Sequence, residues 1–445
     1  MQRPLQDGFS TGTAASAAAF AAVHLLFDAP LPETVAVLLP PFCDDGSPCM
    51  DAWREPFPTP ARLIVPVAYG KKEGSTAFAS IIKNGGDDPD VTHGARIIVH
   101  ASAYPFPLCV KQSKDLAGGK LLNLPGVDET AHAGRQETES APCRPRLPEG
   151  AGGGYSSPIE VTLESRTIVL YGGVGVGTVT LPGLPAAIGE PAINPIPRRQ
   201  IAMAAMEAAD VLGYAGPLHL LVSVPDGEAR AKHTLNARLG IIGGLSILGT
   251  RGTVRPYSHE AWKDTVRLGL DVAAALGLRT VLLATGRRSE RLGFALYPAL
   301  SPQAGIQVAD YAAFSLREAV QRPFTCIIWV CFPGKLLKLA QGLQWTHATA
   351  ASADMELLAS YCREAGGPES LCAALRAMPT VSGAFALLQE RDARLGKAVL
   401  ERLAQRALSM MRYWLQKATT SGASDRKDSP ELTLRVFSTH GQLLL

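Results

Sequence analysis

The chain has 445 residues and a formal net charge of +3. That length suits two or more domains with cores of ordinary size, and so small a charge sets aside nucleic acid and acidic membrane surfaces as expected partners. The eight cysteines, at 43, 49, 109, 143, 326, 331, 362 and 372, form no CxxC pair. Neither a zinc site nor a disulfide framework is therefore indicated, and reduced thiols in a cytoplasm are expected.

The first organised stretch is Thr13 to Phe27, apolar and dominated by alanine. It imitates a signal-peptide core, but it has His24 inside it and is only about 15 residues long, short of a bilayer span of roughly 20. The entry Gly8-Phe-Ser-Thr-Gly-Thr13 suits a helix start with Thr13 as N-cap. The amides of that start, with the hydroxyls of Ser10, Thr11 and Thr13, make a ready anion site.

Residues 31 to 70 read as strands broken by a proline-rich excursion, Pro40 to Pro60, whose Asp44, Asp45 and Asp51 are expected to be loop acids. Ile81 to Gly94 then sets Asp87, Asp88 and Asp90 with His93 after two glycines and across a proline. Mutual repulsion raises at least one pKa there unless a cation or hydrogen-bond donors stand nearby. Such a cluster is a turn saturated by backbone amides, a working site for substrate or protons, or, less in keeping with ligand rules, a metal loop. From 111 to 158 periodicity disappears, and this is read as a flexible insertion between the strands Ala95–Ala101 and Ile159–Leu163.

The strand Thr167–Tyr171 leads into glycines 172, 173, 175 and 177, a short strand Thr178–Leu181, and prolines 182, 185, 191, 195 and 197. Glycine permits positive φ and close approach to backbone amides, and proline stiffens the return. The loop carries Glu190, Asn194, Arg198 and Arg199. A dinucleotide fingerprint fails because Gly173 and Gly175 are followed by Thr178 where the third glycine belongs and a strand comes next, and no G-K-[ST] is present. A helix over Gln200–Leu212 and a strand over His219–Val224 come next, then a second glycine-rich segment, Leu239 to Val254, with Gly243, Gly244 and Arg251.

Strands and helices alternate beyond Ser258. The strands Thr280–Ala284, Ile306–Ala309 and Cys326–Val330 are each followed by a helix, which implies a parallel sheet. In such sheets ligands gather outside the carboxyl ends of the strands, where Gly286, Asp310, Gly334 and Lys335 stand. A long helix over about Ala384–Lys417, a polar linker and a strand Leu432–Phe437 complete the chain. The expected fold is α+β and α/β in two domains. An N-terminal α+β domain with glycine-rich loops spans 1–257, a C-terminal α/β domain with a largely parallel sheet spans 258–417, and 418–430 links it to the terminal strand and turn, 431–445.

Five blocks carry a family resemblance in order: GFSTGTAASAAA, GDDPDVTHG, GVGVGTVTLPGL running to GEPAINPIPR, GIIGGLSILGTRGTVRPYS, and ATGRRSE with PGKLLKLAQGLQWTHATAASADM. The chain resembles the CbiD family, the cobalt-precorrin-5B C1-methyltransferases of anaerobic cobalamin synthesis. It departs at Ala14, where the family usually carries Cys, and in the 111–158 insertion, where the family has a short connection. The resemblance implies S-adenosyl-L-methionine as methyl donor, a cobalt-bearing corrinoid as acceptor, and cobalt that arrives with the substrate, so that no metal is held by the protein. On that basis Asp87, Asp88, His93 and Glu190 are candidates for orienting the ring or moving a proton. Ser10, Thr11, Thr13, Asn194, Arg198, Arg199, Gly243, Gly244 and Arg251 are candidates for binding the macrocycle and its acid arms. Gly175, Gly177, Gly286, Asp310, Gly334 and Lys335 are candidates for the donor. A cytoplasmic enzyme is implied, with a homodimer and transient contacts to neighbouring pathway enzymes among its expected associations. A nucleotide-dependent oxidoreductase and a non-catalytic corrinoid carrier are the rival readings.

Overall fold

The computed structural model describes residues 3–40, 62–106, 156–163, 166–348, 351–419 and 429–445. The Pro40–Pro60 excursion, the 111–158 insertion and the 418–430 linker fall largely outside the described residues. The chain divides into two compact units, Met1–Thr180 with Pro185–Tyr257, and Leu181–Leu184 with Ser258–Leu445.

The first unit is built on a six-stranded sheet ordered Tyr69–Glu73, Thr76–Ile82, Arg96–Ser102, Leu218–Ser223, Arg166–Gly172, Ile159–Leu163. All neighbours are antiparallel except Leu218–Ser223 against Arg166–Gly172. Strand alternation turns Ala77, Ala79 and Ile81, Ile97 and Val99, Leu220 and Val222, and Ile168 and Leu170 into one core. The helices Thr11–Leu26 and Pro195–Val211 close that core.

Alanine decides how the first helix packs. Ala14, Ala15, Ala17, Ala18, Ala19, Ala21 and Ala22 are all fully buried, and only Phe20, His24 and Leu25 of the helix are partly exposed, so most of it is enclosed. Short side chains let neighbouring backbones approach closely. The N-cap is Ser10, with extended backbone and Oγ accepting from Thr13 N at 3.1 Å. Thr13, the expected cap, lies inside the first turn, because the chain becomes helical at Thr11. The second helix likewise starts earlier than its apolar periodicity predicts. Pro195 and Pro197 occupy its first turn, where a missing N–H costs nothing.

Among its described residues the second unit holds a sheet of four strands, all parallel, in the order Gly305–Gln307, Thr280–Ala284, Cys326–Cys331, Glu431–Val436. Both faces are covered. Val281, Leu283, Ile327 and Trp329 join a large core with the helices, and Leu282, Ala284, Ile328 and Val330 join a smaller one with Leu292. Two-sided burial is why these strands read as unbroken apolar runs. The terminal strand, expected as a separate piece, is an edge of this sheet.

Two elements differ from expectation. The long helix is two, Val381–Arg391 and Ala393–Ala418, broken at Asp392, whose carboxylate accepts from Arg394 N and Leu395 N at 2.9 and 3.0 Å. An Asp that caps a new helix competes with continuing the old one, and apolar periodicity does not register it. The strand expected through Ala309 stops at Gln307, and Ala309 takes φ 48°, outside strand geometry.

Candidate functional site

In the first unit, backbone hydrogen bonds stitch three of the resembling blocks together and tie them to Asn84, just ahead of a fourth. Phe9 N donates to Asn84 O at 2.8 Å and Ser10 N to Gly252 O at 2.9 Å. Gly177 N reaches Leu245 O at 2.8 Å, and Asn194 N reaches Ile247 O at 3.0 Å. Gln200 Nε2 donates to Thr13 Oγ1 at 3.2 Å and to Leu38 O at 2.9 Å. Segments far apart in sequence thus converge through their main chains.

The hydroxyls at the first helix start are occupied by the chain itself. Thr11 Oγ1 donates to Leu248 O at 3.1 Å and accepts from Leu248 N at 2.9 Å. Thr13 Oγ1 donates to Gly252 O at 2.7 Å. Gly12 N is bonded to Leu248 O at 3.1 Å and Thr13 N to the Ser10 cap, and Ser10, Thr11 and Thr13 are at most 2 % exposed. The arrangement fixes the helix start and leaves little there for an outside anion.

The acidic turn is saturated in the same manner. Asp87 Oδ2 accepts from Gln6 N at 2.7 Å, and Asp88 Oδ1 accepts from Tyr257 N at 2.9 Å. Asp90 Oδ1 accepts from the amide and hydroxyl of Thr92, both at 2.7 Å, and its other oxygen is paired with Lys83. His93 Nδ1 accepts from Gly85 N at 3.1 Å. Burial works to raise the pKa of Asp90, but Lys83 and Thr92 outweigh it and hold the carboxyl below its ordinary range. Arg230 clamps the turn from outside, its Nη1 donating to Val91 O at 2.6 Å and His93 O at 2.9 Å. The three carboxylates therefore diverge onto separate partners.

Lys83 and Arg230 are not singled out by the sequence. Lys83 is 1 % exposed. The signal for it is a lone cation ending an apolar strand, seven residues before an acid that needs a partner. Arg230 pairs through Nε with Asp226 four residues earlier, at 2.6 Å, but its hold on the turn leaves no such signal, because that hold is on main-chain oxygens.

The proline-rich loop is strapped by one ion pair. Glu190 Oε2 accepts from Ala187 N at 2.9 Å and from Arg198 Nη2 at 2.6 Å, while Arg198 Nε donates to Ile193 O at 2.6 Å. Asn194 is the helix N-cap by position, without a side-chain capping bond, and Arg199 is half-buried on the same helix. Gly175, at φ 72°, packs against the Val224 carbonyl, and a side chain there would collide with it. Gly244 packs in turn on the Gly175 carbonyl, and Gly177 on Ile241. Gly243, at φ 83°, has open space on its side-chain side, and Arg251 is exposed.

In the second unit, Gly286 caps the helix Arg287–Leu296 at the carboxyl end of Thr280–Ala284, and Gly334 lies in the first turn of Pro333–Ala340, after Cys326–Cys331. A side chain at either glycine would meet no atom within 4 Å. The first strand continues to a neighbour on one side and the second to a neighbour on the other. The gap between their carboxyl ends is the place where open α/β sheets take ligands. A cavity of about 530 Å³ lies there, lined by Gly286, Arg287, Arg288, Gly334, Lys335 and Lys338 among others. Asp310 is bonded to Lys335, and Thr346 Oγ1 donates to Asp310 Oδ1 at 3.1 Å. Four of the six residues expected to hold the donor are thus gathered here, while Gly175 and Gly177 belong to the first unit.

A family model described as CbiD matches residues 1–120 and 155–256, and one described as CbiD, C-terminal domain, matches residues 345–444. The chain is 44% identical over 384 residues to the cobalt-precorrin-5B C(1)-methyltransferase of Nitratidesulfovibrio vulgaris, covering 86% of this chain and 81% of that one. Relatives of the same name from Salinispora arenicola and a Polaromonas species are 35% and 34% identical, covering 86% and 92% of this chain and 80% and 91% of theirs. A 1.9 Å crystal structure of the cobalamin biosynthesis protein (cbiD) from Archaeoglobus fulgidus is 24% identical, with a TM-score of 0.31, over 75% of this chain and 79% of that one. Matched by the family's models over most of its length and by relatives of one name along nearly all of it, the chain belongs to the CbiD family.

Proposed function

We propose that this chain transfers a methyl group from S-adenosyl-L-methionine to C1 of cobalt-precorrin-5B, giving cobalt-precorrin-6A in anaerobic cobalamin synthesis. The observation that carries this reading is the 44% identity over 384 residues to a relative named cobalt-precorrin-5B C(1)-methyltransferase. The donor supplies an electrophilic methyl on sulfonium. An electron pair of the macrocycle forms the C1–CH₃ bond, the S–CH₃ pair stays on sulfur as a neutral thioether, and the positive charge passes to the conjugated ring. Cobalt belongs to the substrate.

Such chemistry asks the protein for alignment first. Holding two reactants in line supplies ~7–11 kcal/mol of the barrier. Charge dispersal in the transition state favours a weakly polar surround over a strongly anionic one. The locked carboxylates suit this. Asp87, Asp88 and Glu190 are bonded to main-chain amides, and Glu190 also to Arg198, so we assign them to holding loops in place. His93 we place in the same group. For the macrocycle we retain the open Gly243, the exposed Arg251, and Arg199 and Asn194 beside the proline-rich loop. Gly244, Arg198 and the Ser10–Thr13 start support that surface from beneath. For the donor we retain the crevice at Gly286, Gly334, Lys335 and Asp310, whose open glycines leave room for a ligand over the helix starts. A two-domain enzyme in the cytoplasm, associating as a homodimer and meeting its pathway neighbours transiently, completes the proposal.

The test is an anaerobic incubation of the full chain with cobalt-precorrin-5B and S-adenosyl-L-methionine carrying a labelled methyl. Mass spectrometry is expected to find the label in the macrocycle, and a macrocycle of unchanged mass sinks the reading. Glu190→Gln in the same assay is expected to fold and to slow transfer at least about tenfold, about 1.4 kcal/mol. Unchanged turnover would show that the Glu190–Arg198 strap does not position the loop for transfer.

A further inference from the structure

The crevice of the second unit has an unusual charge. Arg287, Arg288, Lys335 and Lys338 all line it, and no Asp or Glu does among the described lining residues. Lys335 is matched by Asp310. Arg288 is bonded to Thr439 O and lies over the Phe332 ring, 5.6 Å from its centroid. Both contacts leave its charge in place.

Lys338 is the most telling of the four. It is 9 % exposed, and its Nζ donates to Thr346 O at 3.0 Å and His347 O at 3.2 Å. Both acceptors are neutral carbonyls. An ammonium has three donors, so one is left, and a buried cation is ordinarily matched by an anion. Burial, and then the charge of Lys335, pull the Lys338 amine below the usual lysine range, while Asp310 opposes them. An anion in the cavity would relieve this strain. The first turns of two helices, without side-chain caps, also line the cavity, and their amides add partial positive charge.

We infer that this crevice is a carboxylate site, in which Lys338, backed by Arg287 and the helix-start amides, takes an acid group of a substrate. The inference leans on the methyltransferase reading for the two sources of that group, an acid arm of the macrocycle or the methionyl carboxylate of the donor. A bare sulfonium is unsuited to so cationic a lining.

The full chain, with Lys338→Met and Arg287→Gln variants, is titrated by calorimetry with S-adenosyl-L-homocysteine, an octacarboxylate porphyrin and NADPH. Arg287 is exposed, so its variant is expected to fold even if loss of the buried lysine disturbs the first one. Both variants are expected to weaken one of the two carboxylate ligands by about tenfold and to spare the other, and the weakened ligand identifies the source. Wild-type affinity for both in folded variants overturns the inference, as does NADPH binding that the same substitutions abolish. The labelled-methyl assay separates the two failures. Transfer by wild type with unchanged KM values in the variants sinks only the carboxylate site. Absent transfer with variant-sensitive porphyrin binding sinks only the methyltransferase reading.

Discussion

Two sets of glycines, one in each unit, do opposite things. In the first, Gly175, Gly227 and Gly244 lie where a side chain would strike the backbone of Val224 or of Gly175 itself, so their absence of bulk is used up in bringing main chains together. In the second, Gly286 and Gly334 face open space. Glycine costs conformational entropy wherever it stands. The first set recovers that cost in packing and the second set recovers nothing within the protein, which is the pattern expected where room is kept for a ligand.

Substitution can break this contrast directly. The largest effect is expected from Gly175→Ala, which combines positive φ with a backbone collision and should cost more than about 4 kcal/mol, enough to leave the first unit unfolded in a urea titration. Gly286→Ala, at extended backbone with nothing nearby, should stay within about 1 kcal/mol of wild type. Comparable losses in the two variants would dissolve the distinction.

The next effect tests what holds the acidic turn. Lys83→Met strands Asp90 in a half-buried place and is expected to cost about 3–5 kcal/mol at neutral pH. In wild type the folded-state pKa of Asp90 is depressed, so its contribution is present above the unfolded value and is lost as pH falls through the folded one. Without Lys83 only the Thr92 bonds oppose burial, so the carboxyl moves upward and the variant should lose less stability on acidification than wild type does. Denaturant melts at several pH values check the sign, and parallel curves for the two proteins would show that Lys83 does not set it.

The smallest effect sharpens the comparison from the other side. Gly334→Ala, inside a helical turn with open space around it, should stabilise the second unit by about 0.5–1 kcal/mol while weakening whatever binds in the crevice. A calorimetric melt together with a ligand titration reads both quantities. Gain without any loss of binding would mean the open space serves no ligand.

Much of the fold was legible because periodicity reports burial. The parallel strands announced themselves as apolar runs, and the alanine helix was visible to within a few residues. What periodicity does not report is competition at an end, so Ser10 over Thr13 and the break at Asp392 were missed. The site was legible as a set of segments, not as geometry. Sequence cannot say whether a glycine makes room for a ligand or for a neighbouring main chain, and so Gly175 and Gly286 looked alike. Nor does it reveal that Asp87, Asp88 and Asp90 have separate partners, since Gln6 and Tyr257 supply only their amides.

The parallel edge strand Glu431–Val436 bonds to Cys326–Cys331 along its whole length. Its partner is translated long before it, with several helices in between. During synthesis, the rim of Cys326–Cys331 that this strand covers stays unpaired until Glu431–Val436 has been made. A prematurely terminated product would thus carry a sticky, unpaired β-rim, and quality-control machinery, rather than slow catalysis, would set the phenotype of late nonsense mutations.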